Sequence, residues 1–342
     1  MFSSKVEVKK NILFRVATFF IFLSIAVPAL AQTDTLEVAS STATTTQGWY
    51  LTDTISGDIA VGDFVVGPGR AEISLAPGET IVEYVTVTNR ISDNRSFSLS
   101  VEDITGTDDA SASVELTGNE RGPYSLRDYI SFPADTFTLD LGERARIPVT
   151  ITIPADAEPG GRYGSVLVST VRSPESPDES VPQSPIVARV GSLFFVVVEG
   201  DVERAGRTVD VNTVGQGSFF TSGPIPIGVL YENTGSIHLN PYGEVSITNM
   251  LGEEVGFVQL EPWFVLPKSL RLREIVWDRE FLIGRYTITA RINRGYDDIV
   301  DEVSTTVWVI PWKLALGFFV GVFVFGLLIR FVLRNFEFKR KQ

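Results

Sequence analysis

The chain has 342 residues, with 29 basic and 42 acidic side chains, a formal charge of -13, one histidine and no cysteine. The lack of cysteine excludes disulfides, thiolate nucleophiles and cysteine-ligated metal centres. A single histidine excludes multi-histidine metal sites. The acidic balance argues against nucleic acid as a partner, because phosphate neutralisation requires clustered Lys and Arg. Carboxylate chemistry, or binding without chemistry, remains.

Residues 1–31 have the pattern of a secretory signal peptide. Basic residues precede an apolar run, and the small residues Ala29 and Ala31 stand where a signal peptidase cuts. The apolar run is short for a bilayer about 30 Å thick, which favours cleavage before Gln32 over an uncleaved anchor. Residues 32–56 are rich in Ser and Thr and lack apolar periodicity, so we expect a disordered leader.

The central part of the chain predicts an all-β fold. Short alternating or β-branched runs, separated by turn sequences, fill residues 57–199 and again residues 200–310. In the run Ile81–Thr88, Val and Thr alternate at several positions, which suits a strand with one buried face. The number and length of the runs predict two tandem immunoglobulin-like β-sandwiches, followed by one transmembrane helix. A single helical turn is expected near Tyr129.

Residues 311–333 form the predicted transmembrane helix. Their apolar run has the length that a helix needs to cross the hydrocarbon region. Trp308 and Trp312 suit one membrane interface, and the basic tail at residues 334–342 is expected in the cytoplasm. These features predict a single-pass plasma membrane protein with both sandwiches outside and the C-terminus inside.

Gly317 and Gly321 have a GxxxG spacing within this helix. Such spacing lets two helices approach closely, so a homodimer through the membrane helix is one prediction. The alternative is that the glycines have no special role, because Gly is frequent in membrane helices.

Eight short motifs lie within roughly residues 62–310. Those of the first half are Ser74–Glu79, Val85–Asn89, Ile153–Gly164 and Arg189–Leu193, and those of the second half are Tyr231–Gly243, Asn249–Gly252, Val265–Pro267 and Ile283–Tyr286. Together they resemble motifs of the bacterial WxL-interacting proteins. The resemblance implies a distal peptidoglycan-binding sandwich and a membrane-proximal host-binding sandwich. It implies a non-enzymatic cell-surface protein that binds peptidoglycan or other surface proteins.

Two other functions remain open. One is an extracytoplasmic assembly chaperone that complements a secreted subunit by strand addition. The other is an anchored hydrolase, which is disfavoured because His238 is the only imidazole and no GxSxG motif occurs. His238 lies in a turn-rich stretch, and we expect a loop histidine that is hydrogen-bonded to backbone.

Four aromatic residues are the candidates for contact with a glycan or protein ligand. Tyr129, Tyr163, Trp263 and Phe264 have ring faces that suit the apolar faces of sugars. The alternative is that they are core residues of the two sandwiches. Trp263 and Phe264, between two prolines, are the strongest candidates for exposure.

One acidic loop suggests a metal site. Asp103, Asp108 and Asp109 offer the oxygen ligands that calcium prefers, although they lack the ligand spacing of an EF-hand. The alternative is an ordinary solvated loop, and we expect no other cofactor.

The Pro- and Ser-rich segment 172–185 interrupts the first sandwich, and it either is disordered or presents an edge to a partner.

Overall fold

The computed structural model describes residues 45–55, 61–91, 94–107, 109–171, 188–215 and 217–335. All of them belong to one compact unit, Thr42–Gln342. The predicted signal peptide, the cytoplasmic tail beyond residue 335 and the segment 172–185 lie outside the described residues.

The first sandwich has two facing sheets. Its strands are β1 (Thr45–Gln47), β2 (Tyr50–Thr54), β3 (Val65–Gly67), β4 (Arg70–Leu75), β5 (Thr80–Thr88), β6 (Arg95–Thr105), β7 (Glu115–Leu116), β8 (Ile130–Ser131), β9 (Thr136–Leu139), β10 (Glu143–Thr152), β11 (Gly160–Thr170) and β12 (Arg189–Val198). One sheet has the order β1-β2-β10-β5-β3, with β8 also on β10. The other has the order β4-β12-β11-β6-β7, with β9 also on β6.

The chain crosses from one sheet to the other between β3 and β4. As a result β3 pairs with β5 in the first sheet, whereas β4 pairs in parallel with β12 in the second. The core between the sheets is fully apolar at its centre. Val85 and Ile147 come from the first sheet, and Phe97, Val166 and Phe194 come from the second, and all five are fully buried.

The second sandwich follows the same plan. Its strands are β13 (Gly206–Thr213), β14 (Phe219–Phe220), β15 (Ile225–Asn233), β16 (Tyr242–Asn249), β17 (Glu254–Leu260), β18 (Ser269–Trp277), β19 (Gly284–Asn293) and β20 (Val300–Val309). The sheets have the orders β13-β15-β18 and β14-β20-β19-β16-β17. Val229, Val245 and Ile288 are fully buried between them.

The helix α1 (Trp312–Asn335) follows β20 after only two residues. Its segment Trp312–Arg334 is long and apolar enough to cross a membrane by length and composition. The predicted fold class, all-β with two sandwiches and an apolar C-terminal helix, is confirmed. The predicted helical turn is also present, as a 3-10 turn at Arg127–Tyr129.

The predicted leader is wrong at its C-terminal end. Residues 45–54 form β1 and β2, and β2 pairs with β10. The reason is aromatic packing, which outweighs the polar composition. The Tyr50 ring lies 5.1 Å from that of Trp49 and 5.6 Å from that of Phe137, and its hydroxyl donates to the carbonyl of Thr138 over 3.1 Å.

Candidate functional site

The single histidine lies at the junction of the two sandwiches. His238 follows β15, and its side chain is only 8 % exposed. Its backbone N–H donates to the hydroxyl of Tyr163, on β11 of the first sandwich, over 2.6 Å. The prediction of a loop histidine is therefore right in position, but its bonding partner is a side chain of the other sandwich rather than backbone.

A carboxylate completes this contact. Glu72 on β4 places Oε2 3.5 Å from His238 Nε2, and it accepts from Asn240 Nδ2 over 3.1 Å. The hydrogen bond with His238 is the main reason that the pKa of Glu72 lies below its usual range. The hydroxyl of Tyr163 is 3.3 Å from His238 Nδ1. With the Nε2–H tautomer, a proton-donor chain runs from Tyr163 through His238 to Glu72.

Tyr163 is buried between the two sandwiches and does not offer its ring to a ligand at the surface. Its side chain is 1 % exposed, and its ring lies 5.3 Å from that of Phe195 and 5.7 Å from that of His238. Burial raises the pKa of its phenol, so the hydroxyl stays protonated. A Cβ at Gly161 would overlap this hydroxyl, which explains why glycine precedes the Arg-Tyr pair.

Phe264 is enclosed by charged groups in the same junction. The guanidinium of Arg271 lies 4.0 Å from its ring centre, that of Arg70 lies 5.0 Å away, and the Phe195 ring meets it edge-on at 4.9 Å. Burial is the main cause that lowers the pKa of Arg271 to about 10. Because both cations and Phe195 occupy its surroundings, Phe264 offers little free ring surface to a sugar.

The predicted glycan-binding surface is therefore wrong for two of its four members. Tyr163 and Trp263 are buried, and Trp263 packs edge-on against Tyr231 in the second core, 6.4 Å between ring centres. Tyr129 is half-buried and packs against the first core. The flanking prolines suggested an exposed loop, but they bring Trp263 inward.

Asp103, one of the three predicted calcium ligands, lies on β6 rather than in the loop that holds Asp109, and its carboxylate has a structural role. Asp103 is 2 % exposed and accepts from the hydroxyl of Ser125 and from the backbone N–H groups of Leu126 and Arg127, at 2.5–2.9 Å. Asp109 is exposed and accepts from Ser111. Asp108 lies outside the described residues. Among the residues searched, no group of three His, Cys, Asp or Glu has a metal-binding arrangement.

The same loop covers an edge of the second sandwich. The carbonyls of Thr107 and Ala110 accept from the N–H groups of Leu270 and Leu272 on β18, at 3.4 and 2.8 Å. A Cβ at Gly106 would overlap the side chain of Ser269, so only glycine allows this close approach. The junction thus covers the first residues of the β18 edge.

A shallow cavity of about 320 Å³ lies beside the histidine. It is lined by Glu72, Ile73, Ser74, Val197, Arg204, Ile237 and His238. The polar groups of Glu72 and His238 already bond within the junction. The arrangement is therefore suited to holding one sandwich against the other.

A different feature is the edge of β5, where some backbone groups have no strand partner among the described residues. β10 pairs with β5 along Thr80–Thr88, but β3 covers the other side only at Thr86–Thr88. The N–H of Ile153 donates to the carbonyl of Glu79, and this register directs the odd-numbered residues of β5 toward β10. The even-numbered residues Thr80, Val82 and Tyr84 direct their N–H and C=O groups away from β10.

We call Thr80–Tyr84 the open edge. Within the described ranges, no strand pairs with this stretch on the side away from β10. Val82 and Tyr84 are 45 % and 49 % exposed, so apolar side chains accompany the free backbone groups. Edge strands are usually protected by charge or by a covering segment. By contrast, β4 carries Arg70 and Glu72 on its outer face.

The strand was predicted from the sequence, but its position at a sheet edge was not. Pairing order is a long-range property, and no local pattern in Ile81–Thr88 reports it. The one available signal was that Val82 and Tyr84 make the solvent face of the strand apolar.

Gly317 and Gly321 lie on α1, and the structure describes no atom within 4 Å of a Cβ placed at either glycine. Among the described residues, no other segment packs on these two glycines. The predicted homodimer stays a prediction.

Comparisons with known proteins give weak likenesses only. No family model and no curated protein matches the chain. Among solved structures, the class 5 fimbriae chaperone CfaA is 10 % identical, with 73 % of this chain and 100 % of that chain covered and a TM-score of 0.35. The CsuC–CsuE chaperone–tip subunit complex of Acinetobacter baumannii is 11 % identical, with 71 % of this chain and 98 % of that chain covered and a TM-score of 0.35. The E. coli chaperone DraB is 14 % identical, with 73 % of this chain and 98 % of that chain covered and a TM-score of 0.32. These TM-scores lie below 0.5, so the likeness assigns no function to this chain.

Proposed function

We propose that this chain is a non-enzymatic, membrane-anchored binding protein that holds an extended segment of a partner protein by strand addition at the open edge. This is the activity of an extracytoplasmic assembly chaperone. The observation that carries the proposal is that, within the part of the chain that the structure describes, the outward N–H and C=O groups of Thr80, Val82 and Tyr84 have no strand partner. Two exposed apolar side chains lie beside them.

The chemistry of the open edge suits a polypeptide. Each of the three residues offers one donor and one acceptor, which is the pattern that an added strand satisfies. A hydrogen bond made in this way contributes about 0.5–1.5 kcal/mol net. Val82 and Tyr84 add contacts for alternate side chains of the incoming segment, since side chains two residues apart share a face.

The junction supports the proposal indirectly. His238, Tyr163 and Glu72 bond the two sandwiches together, so a segment bound on the first sandwich keeps a fixed orientation to the second. Peptidoglycan binding, which the resemblance to WxL-interacting proteins implies, has less support because Tyr163 and Trp263 are buried. The acidic balance of the chain also opposes contact with anionic polymers.

The test uses the full chain in lipid nanodiscs and synthetic peptides of alternating Val and Thr. A second peptide set carries N-methyl groups at alternate residues, which removes the donors that an added strand needs. The variant Val82→Pro removes an outward N–H without touching the ladder to β10. Its matched control is Val82→Thr, which keeps the N–H.

The unmethylated peptides should bind the native chain and Val82→Thr. Binding to Val82→Pro should be about tenfold weaker, because one hydrogen bond is lost and the ring obstructs the next strand. Equal binding of methylated and unmethylated peptides, or an unchanged affinity of Val82→Pro, would overturn the proposal. Sedimentation of the chain with insoluble peptidoglycan, without peptide binding, would favour the glycan function instead.

A further inference from the structure

Exposed apolar side chains surround the start of α1 at the end of the second sandwich. Each is more than half exposed, and none belongs to the open edge or the junction. We call this set the apolar collar, and it consists of Phe219, Met250, Leu251, Phe281, Ile283 and Ile310.

Backbone pairing brings these residues to one end of the sandwich. Phe219 pairs in parallel with Trp308 near the end of β20, and the N–H of Ile310 donates to the carbonyl of Phe220 over 2.8 Å. A Cβ at Gly284 would overlap the end of the Met250 side chain, so the turn after β16 lies against the start of β19. Leu251 follows in the same turn and projects further into solvent.

Two apolar recesses connect the collar with the helix. One, of about 480 Å³, is lined by Ile283, Ile310 and Trp308 together with Phe318 and Phe319 of α1. The other, of about 370 Å³, joins Phe281 to Trp312 and Leu314, with Lys313 and Glu280 at its rim. Phe281, Ile283 and Ile310 of the collar therefore line the same recesses as apolar residues at the start of α1.

Exposure of this many apolar side chains to water needs an explanation. Contiguous exposed apolar patches on soluble domains mark contact with a membrane or with a protein. The continuity with α1 favours the membrane, because any bilayer around the helix meets the collar at the same depth. Trp308, Trp312 and Lys313 are the residue types that suit a lipid headgroup region.

The connection to the helix leaves little freedom for the sandwich to move away. Only Ile310 and Pro311 separate β20 from α1, and the N–H of Leu314 already donates to the carbonyl of Pro311 over 2.9 Å. A flexible stalk would allow the loops to stay in water. Without one, the end of the sandwich is held at the membrane surface.

We propose that the apolar collar is a membrane-inserting surface, which enters the lipid interface around the N-terminal end of α1. Insertion of amphipathic segments reaches about 5–10 Å into the boundary between headgroups and acyl chains. The collar would then fix the tilt of the second sandwich relative to the bilayer. This inference rests on the membrane anchoring that is part of the proposed function, and it adds a second, peripheral contact with lipid.

The experiment exploits the absence of cysteine from the chain, because a label then attaches only where a cysteine is introduced. The full chain is reconstituted in vesicles of phosphatidylcholine and phosphatidylglycerol. An environment-sensitive fluorophore is placed in turn at Phe281→Cys, Leu251→Cys and Phe219→Cys. These side chains are exposed, so the substitutions leave the core intact.

Two further positions serve as controls. Phe325→Cys, within α1, reports whether the helix spans the bilayer. Tyr242→Cys is the matched aqueous control, because it is exposed at the opposite end of β16 from Met250, and strand rise puts it more than about 20 Å away.

Lipids that carry a quencher just below the headgroup should quench the three collar labels several-fold more than the label at Tyr242→Cys. Collar labels quenched no more than that control, while Phe325→Cys is quenched by deep quenchers, would overturn the collar inference alone. If the label at Phe325→Cys also stays unquenched, the anchoring itself fails.

Discussion

Tyr163 and His238 belong to different sandwiches, and the backbone N–H of His238 donates to the Tyr163 hydroxyl over 2.6 Å. Glu72 extends this contact through the imidazole, and the loop around Gly106 adds backbone bonds to β18. The two sandwiches are therefore bonded into one body. A partner strand at the open edge would keep a defined direction relative to the apolar collar.

Removing the Tyr163 hydroxyl should weaken the junction. In Tyr163→Phe the buried N–H of His238 loses its acceptor, and an unsatisfied buried donor costs about 1–3 kcal/mol. The free energy of unfolding, measured by urea titration, should fall by this amount. Tyr242→Phe is the control, since Tyr242 is exposed. Equal effects of the two substitutions would show that the hydroxyl contributes nothing to the junction.

Acid should weaken the same contact through Glu72. The pKa of this carboxyl is lowered from 4.5, chiefly by the hydrogen bond with His238. Because the pKa of this carboxyl is lower in the folded state, the carboxylate stabilises the fold at pH values above its pKa in the unfolded state. That contribution is lost as the pH falls through the pKa of the folded state. Thermal melts across the acid range should show this loss for the native chain and a shallower loss for Glu72→Gln. Parallel curves would contradict the assignment.

Asp103 should prove structural and insensitive to calcium. It is buried and accepts from Ser125, Leu126 and Arg127, so Asp103→Asn should lower the free energy of unfolding by about 1.5–3 kcal/mol. Asp109→Asn, at an exposed position in the loop after β6, should have little effect. Added calcium should leave the melting temperature unchanged. A rise with calcium that Asp103→Asn abolishes would restore the metal-site prediction.

The loop that covers β18 should depend on Gly106. In Gly106→Ala the new Cβ overlaps Ser269, so the loop must move away from β18. Such overpacking costs about 1–3 kcal/mol. The amides of Leu270 and Leu272 should exchange faster with solvent. Gly62→Ala is the control, because a Cβ there has no neighbour within 4 Å among the described residues. Unchanged exchange would mean that the loop does not protect this edge.

The sequence predicted most of the strands, because alternation and turn chemistry are local properties. The run Ile81–Thr88, for example, lies within β5. The helix α1 followed from its length and apolar composition. The strands at residues 45–54 were missed because their stability comes from the distant ring of Phe137.

The candidate site was less predictable, because it depends on contacts between distant segments. Nothing near His238 indicates that Tyr163 and Glu72 will reach it, because Tyr163 lies 75 positions away along the chain. The prolines beside Trp263 suggested exposure, whereas the fold turns the ring into the core. An apolar solvent face at Val82 and Tyr84 was visible in the sequence, but its position at a sheet edge was not.

Amide hydrogen exchange of the full chain, with and without the alternating Val and Thr peptide, is the most direct test of strand addition. The peptide should slow the exchange of Thr80, Val82 and Tyr84 several-fold. Ile81 and Val85, whose N–H groups face β10, should be protected already and change little. Protection that appears only on another strand, or no protection at the three even-numbered residues when the peptide is bound, would contradict binding at the open edge.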